Sequence, residues 1–228
     1  MISFETLLEV AEARWAQNNT GADAPTLAAG LPAVKTPDQL RQVPDDRYLS
    51  EMARCVFRAG FSWKVIDAKW PDFEIAFDRF NPVVVAHYSD DRLDQLVADK
   101  RIVRHAGKIK SVRENATFTC QVQQSHGSYA AFIADWPGTD IVGLWLELKK
   151  RGSRLGGNSG PMSLRLMGKD TFILTKDVIA ALVNHKLMAS VSPGSKRDLA
   201  AVQQVFNRFQ EASGYPLAHI SRIMSLTV

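Results

Sequence analysis

The chain has 228 residues, 46% of them hydrophobic, with a formal net charge of +4 and an isoelectric point near 9.1. A sizeable buried core is feasible, whereas no apolar run approaches the ~20 residues that cross a bilayer. Cys55 and Cys120 cannot make a disulfide framework, and with five scattered histidines they show no zinc-type spacing. The N-terminus has no basic region followed by an apolar stretch. We expect a cytoplasmic monomer without metal or cofactor, whose charge permits polyanion binding without proving it.

Helical spacing of apolar residues begins at once and predicts a first amphipathic helix over residues 4–17. Residues 18–45 then change in composition to Asn, Thr, Gly, Pro and Ala, which is typical of a linker or an extended arm. We therefore predict an N-terminal helix and Pro/Ala-rich arm over residues 1–43, followed by a main domain over residues 44–228.

The main domain is predicted to be dense with helices. One helix starts at Asp46 and ends at Gly60, Ser62 caps a short helix, and Pro71 opens another. Further helices are expected up to residue 150, followed by a glycine-rich turn, a helix to Gly168, a helix capped by Thr175, a last long helix over 195–212 and a turn within 217–226. No alternating strand pattern and no internal repeat are found, so the predicted fold class is all-α.

Three segments resemble the bacterial DNA-3-methyladenine glycosylase I family. Residues 58–66 (R-A-G-F-S-W-K-V-I) are similar to its A-G-L-S-W signature, and residues 73–85 to its F-x-x-F-x-P-x-x-V stretch. Residues 102–116, with I-V-R-H-A-G-K-I and then E-N-A, are similar to its I-I-R-H-x-x-K-I run. The resemblance covers about residues 44–170.

The resemblance implies a helix-hairpin-helix fold and hydrolysis of the N-glycosidic bond of 3-methyladenine, or a related alkylated purine, in double-stranded DNA. Such enzymes extrude the damaged base into a pocket and read it by stacking and by hydrogen bonds to its edge. Methylation at N3 puts positive charge on the adenine and makes it a good leaving group. The protein then has mainly to discriminate and to orient.

The resemblance makes Trp63 the aromatic residue that stacks on the flipped base, since a flat π face suits a cationic base. The alternative is one more core tryptophan. The family places a glutamate that holds the adenine edge where this chain has Cys55, which cannot accept the same charge-assisted hydrogen bonds. Glu51, one turn earlier, could substitute or be a surface residue. Tyr48 is the candidate replacement for the family's N-terminal pocket aromatics.

The glycine-rich turn fits a hairpin between two helices, where glycines let the backbone approach a phosphate and the next helix offers unpaired N–H groups. It could also be an ordinary loop. Basic side chains would add salt-sensitive attraction, although a charge run is usually a solvated face. The residues predicted to contact DNA are Gly156, Gly157, Asn158, Ser159, Gly160, Arg104, Lys108 and Lys169.

Other family features are missing. The zinc ligands have no counterparts, because nothing after His185 offers a cysteine. The aspartate that often begins the helix after the hairpin falls by spacing at Thr175, with Asp177 two residues on. Asp177 could stabilise positive charge developing on the sugar, or be a first-turn residue favoured by the helix dipole.

These departures leave three functional interpretations. The first is a glycosylase with Glu51 and Asp177 as its candidate catalytic carboxylates. The second is a catalytically silent DNA-binding protein that keeps the scaffold, which the substitution at Cys55 favours. The third is a glycosylase with a different base preference, because a small thiol enlarges the pocket and removes negative charge.

Overall fold

A computed structural model describes residues 2–21 and 23–228, and helices are its only regular secondary structure. The all-α prediction is confirmed. The α-helices of the described residues are α1 (Phe4–Asn18), α2 (Pro37–Arg41), α3 (Asp45–Arg58), α4 (Trp63–Ala76), α5 (Pro82–Ala86), α6 (Asp90–Ala98), α7 (Ala106–His126), α8 (Tyr129–Asp135), α9 (Ile141–Arg151), α10 (Ser159–Met167), α11 (Lys176–Asn184), α12 (Lys196–Ser213) and α13 (Leu217–Ser225). Three short 3-10 helices lie at Leu27–Gly30, Asp78–Phe80 and Gly138–Asp140. No helix among the described residues is long and apolar enough to cross a membrane.

Hydroxyl side chains fix where many of these helices begin. Thr175 accepts a hydrogen bond from the backbone N–H of Val178, as its position predicted, and Ser195 caps α12 in the same way. At the other end of a helix, Gly168 adopts φ +95° directly after α10, and Gly60 adopts φ +78° two residues after α3. A residue with a Cβ is strained at such angles, so glycine suits both positions.

Three elements differ from the sequence-based expectation. Residues 18–45 contain α2, which is closed by a capping box between Thr36 and Gln39. Pro71 lies inside the continuous helix α4 instead of opening a new one. Burial of the flanking Trp70 and Phe73 outweighs the one backbone hydrogen bond that proline removes. The C-terminal turn is the nine-residue helix α13.

Contacts group the chain into two compact units. The terminal unit comprises the described residues up to Val34, Pro137–Val142 and Asp170–Val228. The central unit comprises Lys35–Trp136 and Gly143–Lys169. Both units are assembled from separate stretches of sequence, whereas the sequence predicted one boundary between residues 43 and 44; that boundary stays a prediction.

The terminal unit is built from helices α1, α11, α12 and α13, which pack around a set of buried aromatic rings. Phe172 and Phe206 stack with ring centroids 4.2 Å apart, and Phe4 lies 5.0 Å from Tyr215. Asp170 accepts hydrogen bonds from the backbone N–H groups of Leu217 and Ala218, at 3.0 and 2.8 Å, and so caps α13.

In the central unit α3 is the helix around which the others are arranged, and it contacts α4, α7, α8 and α10. Six of its residues are at most 2% exposed, which fits an amphipathic helix that is covered on its apolar side. Next to it lies a ladder of aromatic rings at centroid distances of 4.6–6.2 Å, formed by Phe57, Trp70, Phe73, Phe77 and Phe80. This packing holds the C-terminal end of α3 and the start of α4 in place.

Asp45, the first residue of α3, ties that helix to α8. Its carboxylate accepts hydrogen bonds from the backbone N–H groups of Tyr129 and Ala130 and from the amide of Gln123, all at 2.8 Å.

Asp45→Ala leaves these donors without an acceptor, and should lower the free energy of unfolding by about 2 kcal/mol in chemical denaturation. The exposed Asp94→Ala is the matched control and should change stability by less than about 0.5 kcal/mol. Equal effects of the two changes would contradict the role given to Asp45.

Candidate functional site

A cavity of about 250 Å³ lies within the central unit, where the end of α3, the start of α4 and the start of α10 meet. Its lining residues are Cys55, Arg58, Ala59, Trp63, Asn158, Ser159 and Met162. The sequence placed Cys55 and Trp63 on one pocket and Asn158 and Ser159 on a DNA-contacting hairpin. The structure brings all four to the same cavity.

Trp63 is the first residue of α4 and is 46% exposed, so it is not a core tryptophan. The turn before it begins where α3 ends: Ala59 donates to the carbonyl of Cys55, and Phe61 donates to that of Arg58. The positive φ of Gly60 reverses the chain between them. An open indole at a cavity wall provides a flat surface for a planar ligand.

Arg58 lies against this indole, with its guanidinium carbon 4.5 Å from the Trp63 ring centroid. Its Nε and Nη2 atoms both donate to Oδ1 of Asp67, at 3.1 and 2.6 Å. The side chain is only 10% exposed. Arg58 is therefore held in a fixed position at the cavity wall by one carboxylate and one aromatic ring.

Cys55 and Glu51 are joined on one face of α3. The Cys55 thiol donates to Oε1 of Glu51 at 3.6 Å. Burial raises the pKa of the thiol well above its usual range, so the sulfur stays protonated and uncharged. Burial also raises the pKa of Glu51, against the opposing effect of Arg54 and Arg58, which lie 3.5 and 3.6 Å from its oxygens.

The turn between α9 and α10 forms the opposite wall. Gly157 adopts φ +58°, and a Cβ on Gly160 would stand 2.5 Å from the carbonyl oxygen of Leu155, so both positions need glycine. Asn115, buried in α7, binds the turn from below. Its amide accepts from the N–H of Ser153 at 2.7 Å and donates to the carbonyl of the same residue at 3.1 Å. This pair of hydrogen bonds, called the clamp below, holds the turn against α7.

Comparison with known proteins gives the family. The family model described as methyladenine glycosylase matches residues 41–158, from α2 through the turn that borders the cavity. The chain belongs to this family. DNA-3-methyladenine glycosylase 1 of Escherichia coli is 33% identical to it over 76 residues, which is 33% of this chain and 41% of that protein. The chain thus matches less than half the length of this curated relative.

Two solved structures share the fold. The 3-methyladenine DNA glycosylase I of Staphylococcus aureus superposes with a TM-score of 0.52 at 21% identity, covering 60% of this chain and 81% of that one. The 8-oxoguanine DNA glycosylase of Thermotoga maritima gives 0.52 at 16% identity and covers 97% and 95%. The predicted helix-hairpin-helix fold is confirmed, whereas the assignment of its hairpin to the turn between α9 and α10 stays a prediction.

This member of the methyladenine glycosylase family departs from two expectations about cationic DNA contacts. Lys108 is 5% exposed, and its ammonium group donates to the carbonyls of Phe57 and Ala59 at the end of α3. Lys169 is 6% exposed, and its ammonium group donates to the carbonyls of Trp136, at 2.6 Å, and Ala134. Both charges are directed inward, where they satisfy backbone oxygens, instead of outward to phosphates.

Tyr48 also differs from its expected role. It is 2% exposed, packs 5.6 Å from Tyr129 and donates its hydroxyl to the carbonyl of Leu40 at 2.9 Å. The ring therefore belongs to the core between α2, α3 and α8 and does not line the cavity. Glu51 does not line it either.

For the remaining residues, DNA contact by Arg104 and by the turn and a catalytic role of Asp177 stay predictions. Arg104 is exposed in the segment before α7, and Gly157 and Asn158 are exposed at the tip of the turn. Asp177 lies in the first turn of α11, in the terminal unit. Among the described residues no three His, Cys, Asp or Glu side chains are grouped to hold a metal ion.

Several residues at or beside the cavity were not assigned a role from the sequence, among them Asn115, Arg58 and Phe61. Asn115 was part of the quoted N-A motif, and its burial with the turn could be found only in the folded chain. Arg58 begins the quoted signature and lies one turn after Cys55 on α3, so helical spacing could have placed it at the pocket. Phe61 is 41% exposed in the turn between α3 and α4, with the Lys108 ammonium 4.4 Å from its ring.

The clamp on the turn predicts that Asn115→Ala loosens the cavity wall. The backbone N–H and carbonyl of Ser153 would both lose their partner, so we expect the free energy of unfolding to fall by about 1–3 kcal/mol. We also expect faster amide hydrogen exchange over residues 152–160. Thr117→Ala, an exposed change on the same helix, is the control. A loss of stability without faster exchange in the turn would contradict the clamp.

The raised pKa of Glu51 predicts a pH-dependent difference between the wild type and Glu51→Gln. As pH rises from the unfolded-state value of a glutamate through the higher native value, the unfolded chain has already lost a proton that the native state retains. Wild-type stability therefore falls relative to Glu51→Gln over that window and stays level above it. Denaturation at several pH values measures this, and a difference that moves the other way would contradict it.

Proposed function

We propose that this protein is a DNA glycosylase that hydrolyses the N-glycosidic bond of 3-methyladenine, or a related alkylated purine, after the base has been flipped out of the duplex. The observation that carries the proposal is the position of Trp63. This exposed indole stands at a small cavity whose other wall is the turn between α9 and α10. The residue proposed for base stacking and the turn proposed for backbone binding border the same cavity, in a member of the methyladenine glycosylase family.

The turn supports binding of the DNA backbone. Gly157 is exposed, and the first residues of α10 present N–H groups and the positive end of a helix dipole. Exposed cations flank the turn, with Lys149 and Lys150 at the end of α9 and Arg154 within the turn itself. We propose that these residues, and not Lys108 or Lys169, supply the salt-sensitive attraction to phosphate, with Arg104 as a more distant contact.

The cavity supports recognition of the extruded base. We propose that the base stacks on Trp63 between apolar side chains, Ala59 and Met162, with Phe61 filling the space it leaves in the duplex. Apolar side chains serve this purpose in other proteins that distort DNA. Removal of water around the base strengthens each remaining electrostatic contact.

The chemical step requires little of the protein, because alkylation at N3 charges the base and weakens the glycosidic bond. Water takes the place of the base on the sugar carbon, the bond electrons leave with the base, and a proton is released. We propose Asp177 as the carboxylate that stabilises positive charge on the sugar. Glu51 is the other proposed carboxylate, and it would have to part from Arg58 and Cys55 to meet a base. The protein is proposed to act as a monomer on double-stranded DNA in the cytoplasm.

The test is release of alkylated bases from methylated duplex DNA by the full chain. We expect the wild type to release them, and Trp63→Ala to lower the rate by about tenfold or more, since stacking on an aromatic residue contributes about 1–3 kcal/mol per base. Trp63→Phe should retain part of the rate. Ile75→Ala, which removes a 63% exposed side chain from the same helix, should leave it unchanged.

Two results would count against the proposal. Salt-dependent DNA binding with no base released at protein excess would mean that the scaffold is kept without the chemistry. Equal rates for Trp63→Ala and Ile75→Ala would mean that Trp63 is not the stacking residue.

A further inference from the structure

Arg58 is the ionised side chain in the lining of the cavity. Among the other lining residues, Cys55 carries a neutral thiol, Asn158 and Ser159 are polar and uncharged, and Ala59 and Met162 are apolar. Arg58 is therefore the charged residue beside a base in this cavity, since the acidic residues nearby, Glu51 and Asp67, do not line it.

The guanidinium is only partly used by the protein. Oδ1 of Asp67 accepts one hydrogen bond from Nε and one from Nη2. Nη1 lies 3.6 Å from Oε1 of Glu51, which is too far for a hydrogen bond. Because a guanidinium has five N–H donors in a rigid plane, three of them, two on Nη1 and one on Nη2, are left with no hydrogen-bond acceptor among the described residues.

Two of these three N–H groups, one on each Nη atom, are adjacent and parallel, which matches a ligand with two neighbouring acceptors. A purine with a carbonyl oxygen at C6 has such a pair, O6 and N7, and arginine commonly binds both. A purine with an amino group at C6 instead presents N–H groups to the guanidinium. Two donors facing each other leave a buried donor unsatisfied, which is unfavourable.

We infer that the cavity selects damaged purines that carry a carbonyl oxygen at C6, and that Arg58 is the specificity-determining residue that reads this oxygen. The inference rests on the proposed function and narrows it. Of the alkylated purines, N3-alkylated guanine is favoured over N3-alkylated adenine. Deaminated adenine, hypoxanthine, presents the same acceptor pair.

The position of Arg58 agrees with this role. A lysine or a free arginine would lose side-chain entropy on binding, whereas Arg58 is already fixed by Asp67 and by the face of Trp63. The same two contacts place the guanidinium next to the indole. Trp63 stays 46% exposed with the guanidinium against it, so a base can stack on the uncovered indole surface with the edge-reading donor beside it.

The first arm of the test measures the binding of free bases to the full chain by NMR titration. Hypoxanthine and adenine are a matched pair, because the group at C6 is the main difference between them. We expect hypoxanthine to bind about tenfold more tightly than adenine, the discrimination typical of a bidentate arginine contact. Arg58→Gln should remove or reverse this preference, because an amide pairs with N6 and N7 of adenine.

Arg54→Gln is the matched control. Arg54 is on the same helix, also contacts Glu51 and also lies over an aromatic ring, that of Trp70 at 4.7 Å, but it does not line the cavity. It should leave the ratio of the two affinities unchanged. Tighter binding of adenine by the wild type, or an equal change of the ratio in both variants, would overturn the inference.

The second arm is the ratio of bases released from methylated duplex DNA, which contains 3-methyladenine and 3-methylguanine together. We expect 3-methylguanine to be released faster per lesion, and Arg58→Lys to reduce the difference, while a merely structural loss would slow both equally. Faster release of 3-methyladenine would overturn the inference and leave the proposed function standing. Release of neither base would defeat the proposed function, and the binding arm would then decide the role of Arg58.

Discussion

The buried ammonium group of Lys108 is the interaction on which the cavity depends. It donates to the carbonyls of Phe57 and Ala59, where α3 ends and its last carbonyls lack helical partners. A cation there is also favoured by the helix dipole, which offsets part of the cost of burial, and burial lowers the pKa of the amine. Because the end of α3 is fixed, the tight turn through Gly60 that follows it is fixed as well. This turn leads to Trp63, the first residue of α4, at the cavity.

The opposite wall depends on the same helix, α7. Asn115 stands seven residues after Lys108, on the same face of α7, and holds Ser153 through both of its backbone polar groups. Helix α7 thus contacts both walls of the cavity, the end of α3 through Lys108 and the turn after α9 through Asn115. These two residues of the quoted motif support the site without lining it.

The charge arrangement of the cavity differs from what the family resemblance implies. Cys55, which the sequence resemblance aligns with the family's glutamate, is neutral, and the carboxylate of Glu51 lies one turn earlier, near Arg54, Arg58 and the thiol. The lining therefore has a neutral thiol, whose hydrogen is donated to Glu51, where the resemblance implies a carboxylate acceptor. Because donor and acceptor positions decide which base edge is bound, this exchange bears on the lesion more than on the fold.

The sequence by itself determined the helical class, most helix ends and the family, because apolar periodicity, caps and glycines act locally and the signature motifs are contiguous. It also placed Trp63 and Cys55 at one pocket. Only the tertiary structure decided the direction of polar side chains: Lys108 and Lys169 turn inward because buried carbonyls need donors, and Tyr48 is used by the core. Whether a cation meets solvent or a carbonyl depends on residues about fifty positions away, such as Phe57 for Lys108, and no local pattern encodes that distance.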